Sequence, residues 1–179
     1  MRTCMLCTLA AVLLGGCASV VPETIRTAAP GDVQIADVRE HPQQFRNAAV
    51  RWGGIIVSTR NERDHTIIEI VGRELDNEGR PRQEDRSLGR FLAKVNGFLD
   101  PAIYKAERAV TVRGRVEAVI EQAIGEYHYA YPVVLAEATY LWQPRLSPPR
   151  YPYHDPFFYD PWYPWGWPYY RPWPYHPYR

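Results

Sequence analysis

The chain has 179 residues, with 21 lysines and arginines against 20 aspartates and glutamates, and only three cysteines. This length suits one domain with a terminal extension, and it is too short for two domains of ordinary size. The balanced charge lacks the basic excess of nucleic-acid-binding proteins, and the sequence has no polybasic cluster for anionic lipid. We therefore expect no nucleic-acid partner.

The N-terminus has the layout of a bacterial export signal. Arg2 is followed by an apolar run from Met5 to Leu14 and then by Gly15-Gly16-Cys17. That run is too short for a transmembrane helix, which needs roughly 20 residues. Residues 14–17 resemble the lipobox of bacterial lipoproteins, and an ordinary signal peptide with a chance cysteine is the alternative.

The lipobox resemblance implies cleavage of residues 1–16 and attachment of diacylglycerol and a further acyl chain, such as palmitate, to Cys17. Two or three chains would anchor the protein stably, because each buried methylene contributes about 0.8 kcal/mol. In the sorting rule of bacterial lipoproteins, a residue such as Ala18 directly after the lipidated cysteine indicates the outer membrane. Cys4 and Cys7 would leave with the signal, so their C-x-x-C spacing predicts neither a metal nor a redox site.

Residues 17–31 are predicted to form a lipidated, flexible tether, because they contain Pro22 and Pro30 and show no apolar periodicity. A short helix should follow, capped by Asp32 and limited by Pro42. The residues of this helix that would face the core are Ile35, Ala36 and Val38.

A β domain is predicted over residues 32–143. Residues 49–59 and 66–71 form a hairpin around the polar turn 61–64, and Gly53-Gly54 predicts a bulge or a sharp bend. Residues 73–88 are expected to be a solvated surface loop, and residues 91–95 a third strand. Gly97 then permits a left-handed turn, and Asp100 and Pro101 should begin a short helix that ends near Lys105.

Two further strands complete the domain. Alternation over residues 110–121 places one set on a buried face: Val110, Val112, Gly114, Val116, Ala118 and Ile120. The exposed face would carry Thr111, Arg113, Arg115, Glu117 and Glu121. The last strand, residues 131–142, would present Val134, Ala136, Ala138, Tyr140 and Trp142 on one face. Five strands with short helices predict a mainly β protein with a small OB-like barrel, and a small β-sandwich is the alternative.

These segments together resemble the Slp family of outer-membrane lipoproteins, the starvation-inducible lipoproteins of Gram-negative bacteria. The motif residues that carry the resemblance are Trp52, Gly53, Gly54, Asn96, Gly97, Phe98, Leu99, Asp100, Pro101, Gly114, Pro132 and Trp142. The resemblance covers the lipobox and almost the whole β domain, and we expect the tail to lie outside the family core. It implies a periplasmic β-rich domain on the outer membrane, and it transfers no catalytic residue.

Residues 144–179 form a predicted disordered, extended tail. Eleven of these 36 residues are proline, and most of the others are Tyr, Trp and Phe. Such a segment favours extended polyproline II structure over helix or sheet. Its rings could pack back on the barrel, lie at a membrane interface, or stack on peptidoglycan, lipopolysaccharide or an envelope protein. A low-complexity extension without a specific role is the alternative.

Patterns for catalysis or cofactor binding are weak. Ser58, Asp64 and His65 surround one predicted hairpin tip, where exposure to solvent would prevent activation of a nucleophile. Glu126 and His128 supply only two of the three or four ligands that zinc requires. We interpret the tail residues His154, Asp155 and His176 as solvated side chains. No catalytic residue, cofactor or metal is therefore predicted.

OB-type barrels often bind oligonucleotides, and Arg113 and Arg115 would suit that role. Export and the balanced charge argue against it, and Glu117 and Glu121 suggest surface ion pairs instead. Three functional hypotheses follow: a non-enzymatic protein that supports the envelope, a periplasmic module that binds a small ligand, glycan or protein partner, and, least favoured, an enzyme.

Overall fold

The computed structural model describes residues 21–145, so the signal peptide, Cys17 and almost all of the aromatic tail lie outside the described residues. Two short helices precede five strands. In chain order they are α1 (Glu23–Arg26), α2 (Ile35–Glu40), β1 (Ala49–Asn61), β2 (His65–Arg73), β3 (Arg90–Asn96), β4 (Ala109–Ile124) and β5 (Tyr127–Leu141). Within this part of the chain, no helix is long and apolar enough to cross a membrane.

The five strands close into a barrel in the order β1-β2-β3-β5-β4. β3 and β5 pair in parallel, and every other neighbouring pair is antiparallel. The mainly β, OB-like barrel expected from the sequence is confirmed, and the sandwich alternative is wrong. Because the sheet closes on itself, the barrel leaves no long strand edge exposed for pairing with other chains.

The barrel interior is filled by branched aliphatic side chains around one aromatic pair. The rings of Trp52 and Phe91 meet edge to face with centroids 5.3 Å apart. The buried core residues are Ile35, Val38, Val50, Trp52, Ile56, Ile68, Ile70, Phe91, Ala93, Val110, Val112, Val116 and Val134. α2 closes one end of the barrel, since Ile35 and Val38 belong to this core.

Three single-residue bulges change which side chains face the core. The register shifts at Val57 in β1, at Glu117 in β4 and at Glu137 in β5. After Glu117 the alternation reverses, so Ala118 and Ile120 are exposed where the sequence predicted burial. An inserted residue moves every later side chain to the opposite face, which is why simple alternation is wrong beyond each bulge.

The bulge at Glu137 divides the predicted face of β5. Val134 and Ala136 contact the barrel core, whereas Ala138, Tyr140 and Trp142 contact a separate cluster outside it. Thr111, which was assigned to the exposed face of β4, is fully buried beneath that outer cluster.

The glycine pair of β1 has a different role from the expected bulge. The register of β1 runs without interruption through Gly53 and Gly54, on both the β2 side and the β4 side. A Cβ atom on Gly54 would lie 1.9 Å from the Val71 carbonyl oxygen, and one on Gly114 would lie 2.1 Å from the Leu135 carbonyl oxygen. These glycines therefore permit close approach of neighbouring strands.

Both predicted helices differ from the structure. α2 begins two residues later than expected: Gln34 is its N-cap and forms a capping box with Asp37, while Ala36 is exposed. The expected helix from Pro101 to Lys105 is absent from the described residues, where hydrogen-bonded turns occupy that stretch. Asp100 acts as a local cap there, since its Oδ1 accepts the Ala102 N–H at 2.8 Å.

The loop between β2 and β3 is only partly solvated. Gly79 and Pro81 are buried, and Leu75 bridges to Pro81. The Gly79 carbonyl accepts a hydrogen bond from the buried Thr111 hydroxyl at 2.6 Å. Half of this loop therefore covers the barrel wall, and its exposed residues are Asn77, Glu78 and residues 82–87.

Candidate functional site

The N-terminal arm, residues 21–34, packs against the outside of the barrel. Val21 and Ile25 are 8% and 1% exposed, and they form an apolar cluster with Trp142. Burial of one such aliphatic side chain contributes roughly 1.5–3 kcal/mol. The flexible tether expected over residues 17–31 therefore differs from the structure from Val21 onward, where the arm is a docked part of the domain.

Two arginines hold the arm by its backbone. Arg51 donates through Nη1 to the carbonyls of Ile25, at 2.9 Å, and of Arg26. Arg113 donates to the carbonyls of Thr24 and Thr27 at 3.1 and 3.2 Å. Burial, and then the nearby positive charge of Arg113, lower the pKa of Arg51 from its ordinary value. These two side chains satisfy carbonyls at the end of α1 that the short helix leaves unpaired.

Trp142 joins the arm, the barrel wall and the β2–β3 loop. Its Nε1–H donates to the Thr111 hydroxyl at 2.9 Å, and its ring meets Tyr140 edge to face at 4.6 Å. The Arg80 guanidinium lies over the same ring, 5.3 Å from the centroid. The last described residues of the chain are thus held beside the first ones.

The N-terminal arm joins the domain at one end of the barrel. Val21 packs near Trp142. The backbone N–H of Trp142 donates to the carbonyl of Ala109 at the start of β4. Thr24 and Thr27 lie farther along β4, at Arg113. We call the end that carries the start of β4 and the end of β5 the entry end. Cys17 lies outside the described residues, but four peptide units connect it to Val21 and span at most about 14 Å.

A cleft of about 650 Å³ lies between the arm, α2 and the β2–β3 loop. Its walls combine apolar and charged side chains: Ala28, Ala29, Asp32, Val33, Gln34, Ile35, Ala36, Asp37, Val50, Arg51, Trp52, Arg73, Glu74, Leu75, Arg86 and Leu88. Trp52 fixes the position of the arm at the cleft, because its Nε1–H donates to the Val33 carbonyl at 2.8 Å. The volume is in the range of small-molecule sites.

A polar cluster on the outer face of β2, β3 and β5 was not predicted from the sequence. Glu69 accepts from Arg90 at 2.6 Å and from the Tyr131 hydroxyl at 2.8 Å through the same oxygen, Oε1. The Ser58 hydroxyl lies 3.3 Å from the other oxygen. The cluster joins three strands that are distant in sequence, so no local pattern could have shown it.

The electrostatics of this cluster stabilise the ion pair. Burial by itself lowers the pKa of Arg90, but Glu69 and Tyr131 raise it above its ordinary value. Burial, and then the hydrogen bond to Glu69, raise the pKa of Tyr131 to about 12. The arrangement therefore favours a charged Glu69–Arg90 pair with a neutral tyrosine, which suits a structural cross-link between strands.

The residues considered for catalysis have separate partners. Ser58 contacts Glu69, His65 lies 3.7 Å from Glu62, and the Asp64 carbonyl accepts the Gly97 N–H. Among residues 21–145 no group of three or more metal-ligating side chains occurs. Glu126 and His128 are exposed at the β4–β5 hairpin, and the tail residues His154, Asp155 and His176 lie outside the described residues.

The two arginines considered for nucleic acid serve the fold. Arg113 holds the arm, and Arg115 pairs with Glu137 at 3.1 Å and with the Asn47 carbonyl. Of the surface ion pairs expected at Glu117 and Glu121, the described residues show one at Glu117, which binds Lys94 at 3.0 Å.

The family motif residues lie in three places. Trp52, Gly53, Gly54, Gly114 and Pro132 are buried in the barrel wall, and Trp142 anchors the arm. Asn96 ends β3, and residues 97–101 begin the β3–β4 loop at the entry end, where Phe98 projects into solvent and Leu99 packs against the core.

Comparison with known proteins finds related envelope proteins. The model of the outer membrane lipoprotein Slp family matches residues 14–176, which includes the tail that we expected to lie outside the family core. The uncharacterized lipoprotein YeaY of Escherichia coli K12 is 34% identical over 163 residues, covering 89% of this chain and 81% of YeaY. The outer membrane protein Slp of the same organism is 30% identical over 135 residues, covering 74% and 71%. No solved structure matches the chain.

Proposed function

Because the chain belongs to the outer membrane lipoprotein Slp family, we propose that it is anchored through lipid on Cys17 and supports the envelope without catalysing a reaction. The barrel would stand in the periplasm, on the inner leaflet of the outer membrane. The docked arm is the observation that carries this proposal. A long flexible linker would let the domain explore the periplasm, whereas the four peptide units between Cys17 and Val21 hold this end of the barrel within about 14 Å of the lipid.

The engaged side chains support a non-enzymatic role. The nucleophile and base that a hydrolase would need, Ser58 and His65, contact Glu69 and Glu62 and not each other. The Glu69–Arg90–Tyr131 cluster uses its charges to cross-link strands.

The tail has a defined starting point in this arrangement. Trp142 lies beside Val21, so the tail leaves the domain where the lipid-bearing segment enters. We propose that the tyrosines and tryptophans of residues 146–179 lie at the membrane interface, where amphipathic rings are favoured. Stacking on peptidoglycan, on lipopolysaccharide or on an envelope protein is the alternative use of the same rings.

The envelope role can be tested in a strain that lacks this protein. The native chain and Cys17→Ser would be expressed at equal levels, and growth in detergent and in a large antibiotic would be measured. We expect the native chain to restore resistance and Cys17→Ser to fail. Protease should cleave the native protein only after the outer membrane is permeabilised. Equal rescue by both chains would argue against an anchored role, and cleavage in intact cells would argue against the periplasmic orientation.

A second candidate function, a periplasmic binding module, is favoured by the 650 Å³ cleft beside Trp52. Native mass spectrometry of protein extracted from outer membranes would show a retained ligand. An Ala29→Trp variant would fill the cleft and should remove that ligand, whereas Ala102→Trp on the exposed β3–β4 loop should retain it. If the native chain carries no ligand, the structural role would be the better supported function.

A further inference from the structure

The β3–β4 loop exposes two large apolar side chains at the entry end. Phe98 is 73% exposed and Ile103 is 53% exposed. Removing side chains of this size from water gains roughly 1.5–3 kcal/mol each. The loop from Gly97 to Arg108 contains two acidic and two basic residues, so it has no net charge that would select an anionic or cationic partner.

The loop holds Phe98 in a fixed position. Gly97 adopts a φ of +81°, and its N–H donates to the Asp64 carbonyl at 3.1 Å. The Thr66 hydroxyl, which is fully buried, lies 2.9 Å from the Gly97 carbonyl and accepts the Leu99 N–H at 3.0 Å. Both neighbours of Phe98 are therefore fixed, and docking of its ring costs little backbone entropy.

A second set of contacts fixes Ile103 relative to the chain termini. The Asp100 carbonyl accepts the N–H groups of Ile103 and Tyr104 at 3.0 and 2.9 Å. The Arg108 guanidinium donates to the Ile103 carbonyl at 3.4 Å and to the Trp142 carbonyl at 2.9 Å. One side chain thus connects the apolar loop to the cluster that receives Val21.

The opposite end of the barrel points away from the entry end. β3 and β5 run in parallel with Leu92 opposite Val133, so β3 ends in the direction in which β5 continues toward Trp142. The β4–β5 hairpin, at Gly125, lies eight residues before Val133 and therefore at the other end. A short link from Cys17 to Val21 brings the loop, and not the hairpin, close to the lipid.

We propose that the β3–β4 loop inserts Phe98 and Ile103 into the bilayer surface beside the lipid anchor, so that the barrel stands with its entry end on the membrane. This inference rests on the proposed anchoring through Cys17. The membrane is the partner because the link of about 14 Å keeps this end at the bilayer. A neutral loop with protruding apolar side chains suits the boundary between headgroups and acyl chains.

The test uses the full lipidated chain in vesicles of phosphatidylethanolamine and phosphatidylglycerol. Ala102→Cys on the β3–β4 loop and Ala123→Cys near the hairpin are matched exposed positions. Each would carry an environment-sensitive fluorophore, with lipid on Cys17 leaving the introduced cysteine as the single thiol of the mature chain. A quencher on the lipid acyl chains then reports which position lies in the bilayer.

We expect several-fold stronger quenching at position 102 than at position 123. Adding Phe98→Ser should reduce the quenching at position 102 toward the value at position 123, whereas Tyr127→Ser, at an exposed aromatic of the opposite end, should leave it unchanged. Equal quenching at both positions on vesicle-bound, acylated protein would overturn the orientation while leaving the anchor intact. Protein without lipid mass that fails to float with the vesicles would overturn both.

Discussion

Single glycines determine how closely the strands of this barrel approach one another. Gly54 faces the backbone of Val71 at a distance that no Cβ atom can occupy, and Gly114 faces Leu135 in the same way. The sequence showed that a glycine pair interrupts β1, but a glycine in a strand indicates either a bulge or a close approach. Only the positions of the neighbouring carbonyls distinguish these roles.

Replacing Gly54 by alanine should destabilise the barrel by at least about 3 kcal/mol, because the carbonyl that would be struck belongs to the backbone and cannot rotate away. Gly125→Ala, at a hairpin position with φ +61° and no heavy atom within 4 Å, should cost only about 1–2 kcal/mol of local strain. Urea unfolding followed by circular dichroism would compare the two. Similar midpoints for both variants would contradict the close-approach interpretation.

Tyr131 should make stability depend on pH in the alkaline range. Its pKa is raised from 10.0 to about 12 in the folded chain, so the neutral form is stabilised below pH 10 and that stabilisation is lost as the pH rises through 12. The loss should be about 2 kcal/mol. Tyr131→Phe should remove this part of the pH dependence, measured as urea unfolding at pH 9 and pH 11.5. An identical slope in both proteins would show that Tyr131 does not titrate as described.

At the scale of elements, the strands could be predicted and their irregularities could not. Alternation and turn residues are local signals, so the hairpin of β1 and β2 and the paired β4 and β5 were found close to their true limits. The bulges at Val57, Glu117 and Glu137 have no distinctive composition, and those at Glu117 and Glu137 reversed the predicted faces beyond them. The expected helix after Pro101 failed because its backbone groups find partners in turns around Asp100.

The docked arm was missed for a related reason. Val21 and Ile25 show no regular apolar periodicity in a segment with two prolines, and their partner, Trp142, is more than 100 residues away. The cleft and the Glu69 cluster likewise combine residues from distant strands. Periodicity within one segment cannot reveal such contacts, and the family resemblance identified the family correctly without showing them.

Ile25→Ala should release the arm. Removal of this buried side chain should cost about 2–4 kcal/mol in the arm's docking, and trypsin should then cleave after Arg26 much faster than in the native protein. Thr24→Ala, at an exposed position of the same helix, is the matched control and should keep the native rate. Equal cleavage rates in the native chain and Ile25→Ala would show that the arm does not depend on this contact.

At the scale of the whole molecule, both termini of the domain meet at one end. The first described residue, Val21, and the last strand's neighbour, Trp142, share one apolar cluster. The segments that lead to Cys17 and to the tail therefore leave the domain at the same end, and the α2 end with the β4–β5 hairpin is directed away from it. Anchoring through Cys17, as we propose, would therefore orient the barrel on the membrane.

Deletion of residues 146–179 should distinguish membrane contact made by the tail from membrane contact made by the barrel. Four of the six tryptophans lie in that segment, and the other two, Trp52 and Trp142, are buried. In vesicles with a quencher on the acyl chains, tryptophan emission of the native chain should be strongly quenched and that of the truncated chain should not. The urea midpoint should be unchanged, because every described contact of Trp142 is kept. Equal loss of tryptophan emission in both chains would show that the tail does not lie at the membrane interface.

The most direct measurement is fractionation of inner and outer membranes with intact-mass analysis of the native chain and Cys17→Ser. We expect native protein in the outer membrane, cleaved before Cys17 and carrying the mass of diacylglycerol and a further acyl chain, with Cys17→Ser unprocessed or soluble. Native protein recovered without lipid mass in the soluble fraction would contradict this expectation, and the barrel would then have to act as a free periplasmic module.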